Sequence, residues 1–165
     1  MRTDGGEDVY EGDRMKWYKF ARKKPLNKKG KSDSEKAKAR AWRAFSDYIR
    51  LRDCLLTTGT KHECLCITCG RRKEYAEIDA GHFVPGRRNS VLFSEFGVHG
   101  QCRFCNRYKD GDYPKYREVM IARHGLEEIE RYEILAKVSV KLYTSDFERI
   151  YSHYKQEYEK LTEGK

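Results

Sequence analysis

Residues 66–106 read CITCGRRKEYAEIDAGHFVPGRRNSVLFSEFGVHGQCRFCN, and the two ends of this stretch decide the fold. Cys66-Ile-Thr-Cys69-Gly70 and Cys102-Arg-Phe-Cys105-Asn106 are paired-cysteine turns separated by 32 residues. A C-x-x-C turn points both sulfurs to one side and leaves backbone amides free to stabilise their charge, so Cys66, Cys69, Cys102 and Cys105 form a tetrahedral zinc set. Zinc-ribbon pairs are usually about 15–20 residues apart. The longer insert here implies a zinc that clamps the base of a hairpin and leaves room for a site. Four sulfurs close the coordination shell, which makes the zinc structural rather than catalytic. Cys64 is a competing ligand by position, but Cys54 and Cys64 fit better as small apolar core residues.

Within the insert, residues 77–82 alternate as a short strand and Pro85-Gly86 signals a turn. His82 therefore falls at a strand end, where its ring is expected to be free. Cys105-Asn106 begins a segment that leads to the next helix, so a strand end, a clamped loop and a helix start bring His82 and Asn106 together.

Composition bounds the rest. The chain has 165 residues, enough for one domain with extensions. Charged residues make up 37% and hydrophobic residues 38%, and no apolar run approaches the roughly 20 residues of a membrane helix. The first residues are acidic and glycine-rich and lack the apolar centre of a secretory signal. An intracellular protein without a membrane partner is expected. Net charge is +9. The excess lies in residues 14–31, RMKWYKFARKKPLNKKGK, which hold nine Lys or Arg and no acid, Lys23 and Lys24 among them. Such a block releases counterions when it meets a polyanion, and interleaved Trp17, Tyr18 and Phe20 can stack on bases. Nucleic acid is the expected partner, with a solvated tail as the plainer reading.

The domain plan that follows is a flexible basic arm over 1–31, an N-terminal helix within 32–59, a zinc-bound core over 60–125 and C-terminal helices over 126–165. Residues 34–55 have helix formers with Ala41, Trp42, Phe45, Tyr48, Ile49 and Leu55 at helical spacing, capping candidates at Ser32, Asp33 and Ser34, and Gly59 beyond the end. A helix from Lys115 has Pro114 in its first turn and stops at Gly125. Another follows and ends near Thr144. The last opens with Ser145 and Glu148 in capping-box spacing and carries a stripe of Phe147, Ile150, Tyr154, Tyr158 and Leu161. That stripe packs on the earlier helices or forms the seam of a homodimer.

The motifs CITCG, DAGHFVPGR, VHGQCRFCN and GDYPKYREVMIARHG resemble the NinG/Rap recombination nucleases of phages, within the wider HNH or ββα-metal (His-Me finger) endonucleases. They are also similar to the phage endonuclease VII type. The resemblance covers about residues 64–130. It implies an α+β protein with a zinc-stapled ββα-metal core flanked by α-helices, and a metal-dependent phosphodiesterase that cuts branched DNA such as Holliday junctions. A phage source, and so the host-cell cytoplasm, is implied with it. On this resemblance His82 is the general base, and Asn106 gives a neutral oxygen to Mg²⁺ or Mn²⁺. Near-neutral imidazole and a cation that prefers oxygen ligands suit those roles.

Two positions depart from the pattern. Many relatives have an Asp immediately before the histidine, where this chain has Gly81; Asp79, two residues earlier on the same strand face, is the candidate second ligand. The family's middle Asn aligns with Gly97, so its loop tether must come from elsewhere. His99 either orients the site or packs in the core, while His62, His124 and His153 carry no motif. Arg87, Arg88, Arg103, Arg107 and Lys109 surround the centre as phosphate contacts, with Arg87 the first choice for transition-state charge. Rival readings are an HNH nickase or endonuclease on ordinary duplex, and a zinc-stabilised nucleic-acid-binding module without catalysis.

Overall fold

A computed structural model describes residues 30–86 and 88–164. The chain divides into Met1–Lys31 and Ser32–Lys165, and only the second unit is described below. Lys23, Lys24 and Arg87 lie outside the described residues.

Helix α1 spans Asp33–Thr58. Its start is a reciprocal capping box: Glu35 N–H donates to the Ser32 hydroxyl and Ser32 N–H donates to the Glu35 carboxylate. It runs three residues past the expected Leu55. The Thr57 and Thr58 hydroxyls bond back to the Asp53 and Cys54 carbonyls at 2.6 and 2.9 Å, satisfying the last turn. Gly59, at φ 69°, then takes the left-handed cap that a side chain would resist.

Two antiparallel hairpins follow. Strands β1 (Glu63–Leu65) and β2 (Arg72–Glu74) flank the first cysteine turn. Strands β3 (Ile78–His82) and β4 (Val98–Cys102) pair with Asp79 opposite Gln101, Gly81 opposite His99 and His82 opposite Val98. The Ile67 N–H donates to the Gly100 carbonyl and joins the first cysteine turn to β4. Directly after β4 comes a π-helical turn, Phe104–Tyr108, and then α2 (Tyr113–His124), α3 (Leu126–Leu135) and α4 (Thr144–Glu163). The architecture is therefore α+β, with small sheets set among helices.

Helix α3 ends nine residues before Thr144, where periodicity carried it. Its last amides tighten into short turns at Ala136, Lys137 and Val138, and the β-branched Val138 and Val140 do not favour extension. Helix α4 also begins differently. The Asp146 carboxylate accepts from the Tyr143 N–H at 2.9 Å, so the cap forms before the expected Ser145–Glu148 box. Its stripe packs on α1: Phe147 is buried with Ala37 and Ala41, and Tyr154 with Phe45 and Ile49. The rings of Phe45 and Tyr154 meet edge to face at 4.7 Å. Tyr158 and Leu161, further along, are half-buried. No helix is long and apolar enough to cross a membrane, among the described residues.

The charge that pins α1 to the β3–β4 hairpin is buried. The Asp53 carboxylate accepts from Gly100 N–H at 2.6 Å and from Arg52 Nε at 2.8 Å, with His99 Nδ1 at 3.4 Å. Burial pushes its pKa up, but the His99 and Arg52 contacts outweigh burial and hold it below its ordinary value. His99 thus packs in this network, its Nε2 on the Phe96 carbonyl.

Because the folded pKa of Asp53 is lowered, its stabilisation is complete above the unfolded value of about 3.9 and is lost as pH falls through the folded one. Asp53→Ala is expected to cost about 1–3 kcal/mol at neutral pH, since the buried Gly100 N–H loses its acceptor while Arg52 keeps Glu95. Urea unfolding from neutral pH down to about pH 3 checks both points, the variant losing part of the wild-type acid sensitivity.

Candidate functional site

The four cysteine sulfurs of Cys66, Cys69, Cys102 and Cys105 all lie within 4.8 Å of one another. Cys69 and Cys102 are 3.9 Å apart, close to the roughly 3.8 Å expected between sulfurs 2.3 Å from a tetrahedral zinc. The Cys102 N–H points at the Cys66 sulfur at 3.3 Å. Burial raises the Cys66 thiol, but amides of Cys102, Cys69 and Thr68 overcome it and bring it below its ordinary pKa. This group can hold a structural zinc. Cys54 and Cys64 are not part of it; both are buried, and Cys54 on α1 faces Cys64 on β1.

The clamp fixes Asn106, the residue after Cys105. Its amide nitrogen donates to Asp79 Oδ2 at 3.1 Å, so the carbonyl oxygen is the end turned away from Asp79. Asp79 is also gripped by Arg107, whose Nε and Nη2 donate to Oδ2 and Oδ1 at 2.7 and 2.8 Å. Burial would raise its pKa, yet Arg107 and Asn106 together hold it below the ordinary value. Both Asp79 oxygens are thus committed within the protein.

His82 ends β3, half-buried, but its ring is packed, unlike the free ring expected from the strand end. It stacks on Trp42 of α1 at 4.9 Å between centroids and 18° between planes. Its Nε2 lies 3.1 Å from the Leu92 carbonyl. A carbonyl only accepts, so Nε2 carries the proton and Nδ1 is the basic nitrogen. His82 and Asn106 line one cavity of about 190 Å³ with Ala80, Asp110 and Tyr113. Asn106 and Ala80 also line a second of about 380 Å³, beside Asp79, Arg107, Arg50 and Trp42. Asn106 thus stands where the two concavities meet.

The loop between β3 and β4 carries the Leu92 carbonyl, so its tethers orient the histidine. Glu95 accepts from Tyr48 at 3.0 Å, Tyr154 at 3.2 Å and Arg52 at 3.3 Å. Burial and Glu95 push Tyr48 up to about 12. At Gly97 an added Cβ would lie 1.9 Å from the Tyr132 hydroxyl. Tyr132 of α3 fills the space an Asn side chain would need, and its hydroxyl bonds with Ser94. At Gly81 the occupant is Gln101: an added Cβ would lie 2.3 Å from its Oε1 and 2.8 Å from its own Cβ. The Gln101 amide nitrogen is fixed by Thr68 at 2.5 Å and the Gly111 carbonyl at 2.7 Å, leaving Oε1 buried without a partner.

The other expected contacts are dispersed. Arg88 donates to the Lys137 carbonyl at 3.2 Å, and Lys109 pairs with Asp112 at 3.2 Å. Trp42, the Leu92 carbonyl and Asp110 entered no motif, and Gln101 stood in VHGQCRFCN without an assigned role. Trp42 reads in sequence as one more apolar helix position, and a main-chain carbonyl has no sequence signal.

A family model described as "NinG: Bacteriophage Lambda NinG protein" matches residues 11–164. "Protein ninG" of Escherichia phage lambda is 33% identical over 94 residues, 56% of this chain and 42% of the relative. Its namesake in Salmonella phage P22 is 32% identical over the same shares. The chain therefore spans about two-fifths of the length of these curated relatives. No solved structure matches it significantly.

Two outcomes are expected. Purified protein carries about one zinc per chain, and Cys102→Ser loses both the zinc and a large part of the thermal stability, read by metal analysis and calorimetry. Gly81→Asp costs about 1–3 kcal/mol through overpacking, and most of it returns when Gln101→Ala is added; a Gly81→Asp chain as stable as wild type in urea would mean that Gln101 swings aside freely.

Proposed function

We propose that this chain, which belongs to the NinG family, is a metal-dependent endonuclease of the HNH, ββα-metal type that cuts branched DNA. The observation that carries the reading is a histidine held as the Nε2 tautomer by the Leu92 carbonyl, lining the same cavity as Asn106 in the middle of the helical turn that contains Cys105. A base positioned this way has its proton acceptor, Nδ1, set by the other nitrogen's bond, as general-base catalysis requires.

In this reading His82 takes a proton from the attacking water at Nδ1. Trp42 stacks on the ring and keeps its plane fixed as the imidazolium forms. Asn106 presents its Oδ1, and Asp110, which lines the same cavity, adds a carboxylate; an all-oxygen set of this kind suits Mg²⁺ or Mn²⁺. A bound ion would supply Lewis-acid stabilisation of charge on the phosphate and the leaving oxygen. Asp79 orients the Asn106 amide from the strand side; direct ligation by Asp79 requires that Arg107 let go. Arg107, Lys109, Arg88 and Arg87, with Lys23 and Lys24 of the basic segment, contact phosphates. Preference for branches rests on the family resemblance. A homodimer would suit a two-fold junction, but the Phe147–Tyr154 part of the α4 stripe packs on α1 and is not available as its seam.

The test is cleavage of an end-labelled four-way junction beside linear duplex of matched sequence, in Mg²⁺ and in EDTA. Wild type is expected to cut the junction in Mg²⁺ alone, and His82→Ala to cut about 10²–10⁴-fold more slowly with unchanged zinc content. Equal cutting of both substrates would replace the branch reading with a duplex nuclease. Binding without cutting under any divalent ion would leave a zinc-stabilised binding module.

A further inference from the structure

Phe104 and Tyr108 are 58% and 80% exposed, on the helical turn that also carries Asn106. Single exposed aromatics are ordinary, but these two are stacked, with centroids 6.2 Å apart and planes 28° from parallel. Lys109 places its ammonium 5.7 Å from the Phe104 centroid. The turn starts two residues after Cys102 and includes the buried Cys105, so two members of the cysteine cluster flank and enter it. The result is an exposed aromatic ledge beside Asn106.

The charge around the ledge selects its occupant. Arg103, Arg107 and Lys109 are all exposed on or beside this turn. Two of the nearby carboxylates, Asp79 and Asp112, are already paired with Arg107 and Lys109, and Asp110 is the remaining exposed acid. Exposed guanidinium and ammonium groups beside exposed π-faces, balanced in the free chain by three carboxylates, match a nucleic-acid strand whose phosphates take the place of those carboxylates while a base meets the rings. A base inside a continuous duplex has both faces covered by its neighbours. Only an unpaired or unstacked base offers a face to the ledge.

We infer that Phe104 and Tyr108 form a stacking platform for an unpaired nucleobase next to the scissile phosphate, so that the chain selects DNA with a locally opened stack. The inference deepens the nuclease reading and rests on it for the position of the scissile phosphate, but its binding component is separable from cutting. It gives branch preference a physical source in this chain's own residues: a junction or bulge supplies at its centre what a linear duplex lacks.

Anisotropy titrations without divalent ion, on labelled linear duplex, the same duplex with a one-base bulge, and the bulge with an abasic residue, test it. Wild type is expected to bind the base-containing bulge most tightly. The double variant Phe104→Leu, Tyr108→Leu loses about 5- to 150-fold on that substrate and little on the other two. Equal losses on all three, or no loss on any, overturn the platform. Because the variant could disturb the clamp, its zinc content is measured, and 2-aminopurine placed in the bulge is followed with wild-type protein: quenching on binding supports stacking, and unchanged fluorescence overturns it. Bulge-selective binding in these titrations, with no cleavage of junction or bulge when Mg²⁺ or Mn²⁺ is added, would sink the nuclease reading while leaving the platform standing. Failure to bind any DNA would end both.

Discussion

Four sulfurs within 4.8 Å of one another are the constraint on which the remaining geometry hangs. They join a turn that follows β1 to the end of β4, regions 32 residues apart in the chain, and they do so where small strands could not hold register alone. Each hairpin has two strands, which in isolation is marginal in water. A zinc there would convert coordination energy directly into folding energy. Everything downstream inherits that stiffness, because Asn106 and the aromatic ledge sit on the turn that the last two cysteines anchor.

A second set of constraints reaches the histidine from the opposite side. Asp53 fixes α1 to the β4 backbone at Gly100, and the same helix lays Trp42 on the His82 ring. Glu95 gathers hydroxyls from α1 and α4 and a guanidinium from α1, holding the loop that offers the Leu92 carbonyl. Tyr116 of α2 completes the enclosure by donating to the Gly81 carbonyl at 3.2 Å. The imidazole is thereby set by three helices and one loop. Preorganisation of this kind is what the general-base role proposed for His82 requires.

Much of this was legible beforehand where chemistry follows from residue type and spacing. The paired cysteines announced their cluster, Ser32 and Gly59 marked the ends of α1, and the strand ending at His82 followed from alternation and the Pro85-Gly86 turn. What escaped reading depends on contacts between distant segments. Nothing near Asp79 in sequence says that Arg107 will take both of its oxygens, and nothing near Gly81 says that Gln101 will fill its place. The end of α3 was misjudged because residues 136–142 remain mildly amphipathic, and periodicity alone does not register how poorly two valines extend a helix. The apolar stripe of α4 was ambiguous for a related reason: a pattern shows that a face needs covering, and only the tertiary structure shows α1 covering it.

The way Gly97 is accommodated bears on how such a site can be inherited. Its missing side chain is replaced by a tyrosine arriving from α3, and the neighbouring Glu95 is steadied by another tyrosine from α4. The helices after residue 125 are therefore not an appendage to a portable cassette. Residues 60–125 grafted into a foreign scaffold would carry the histidine and the asparagine but leave a void beside Gly97 and a carboxylate short of two hydroxyls. In lineages where this pattern recombines, a workable exchange would have to move α1, the hairpin and the C-terminal helices as one heritable block.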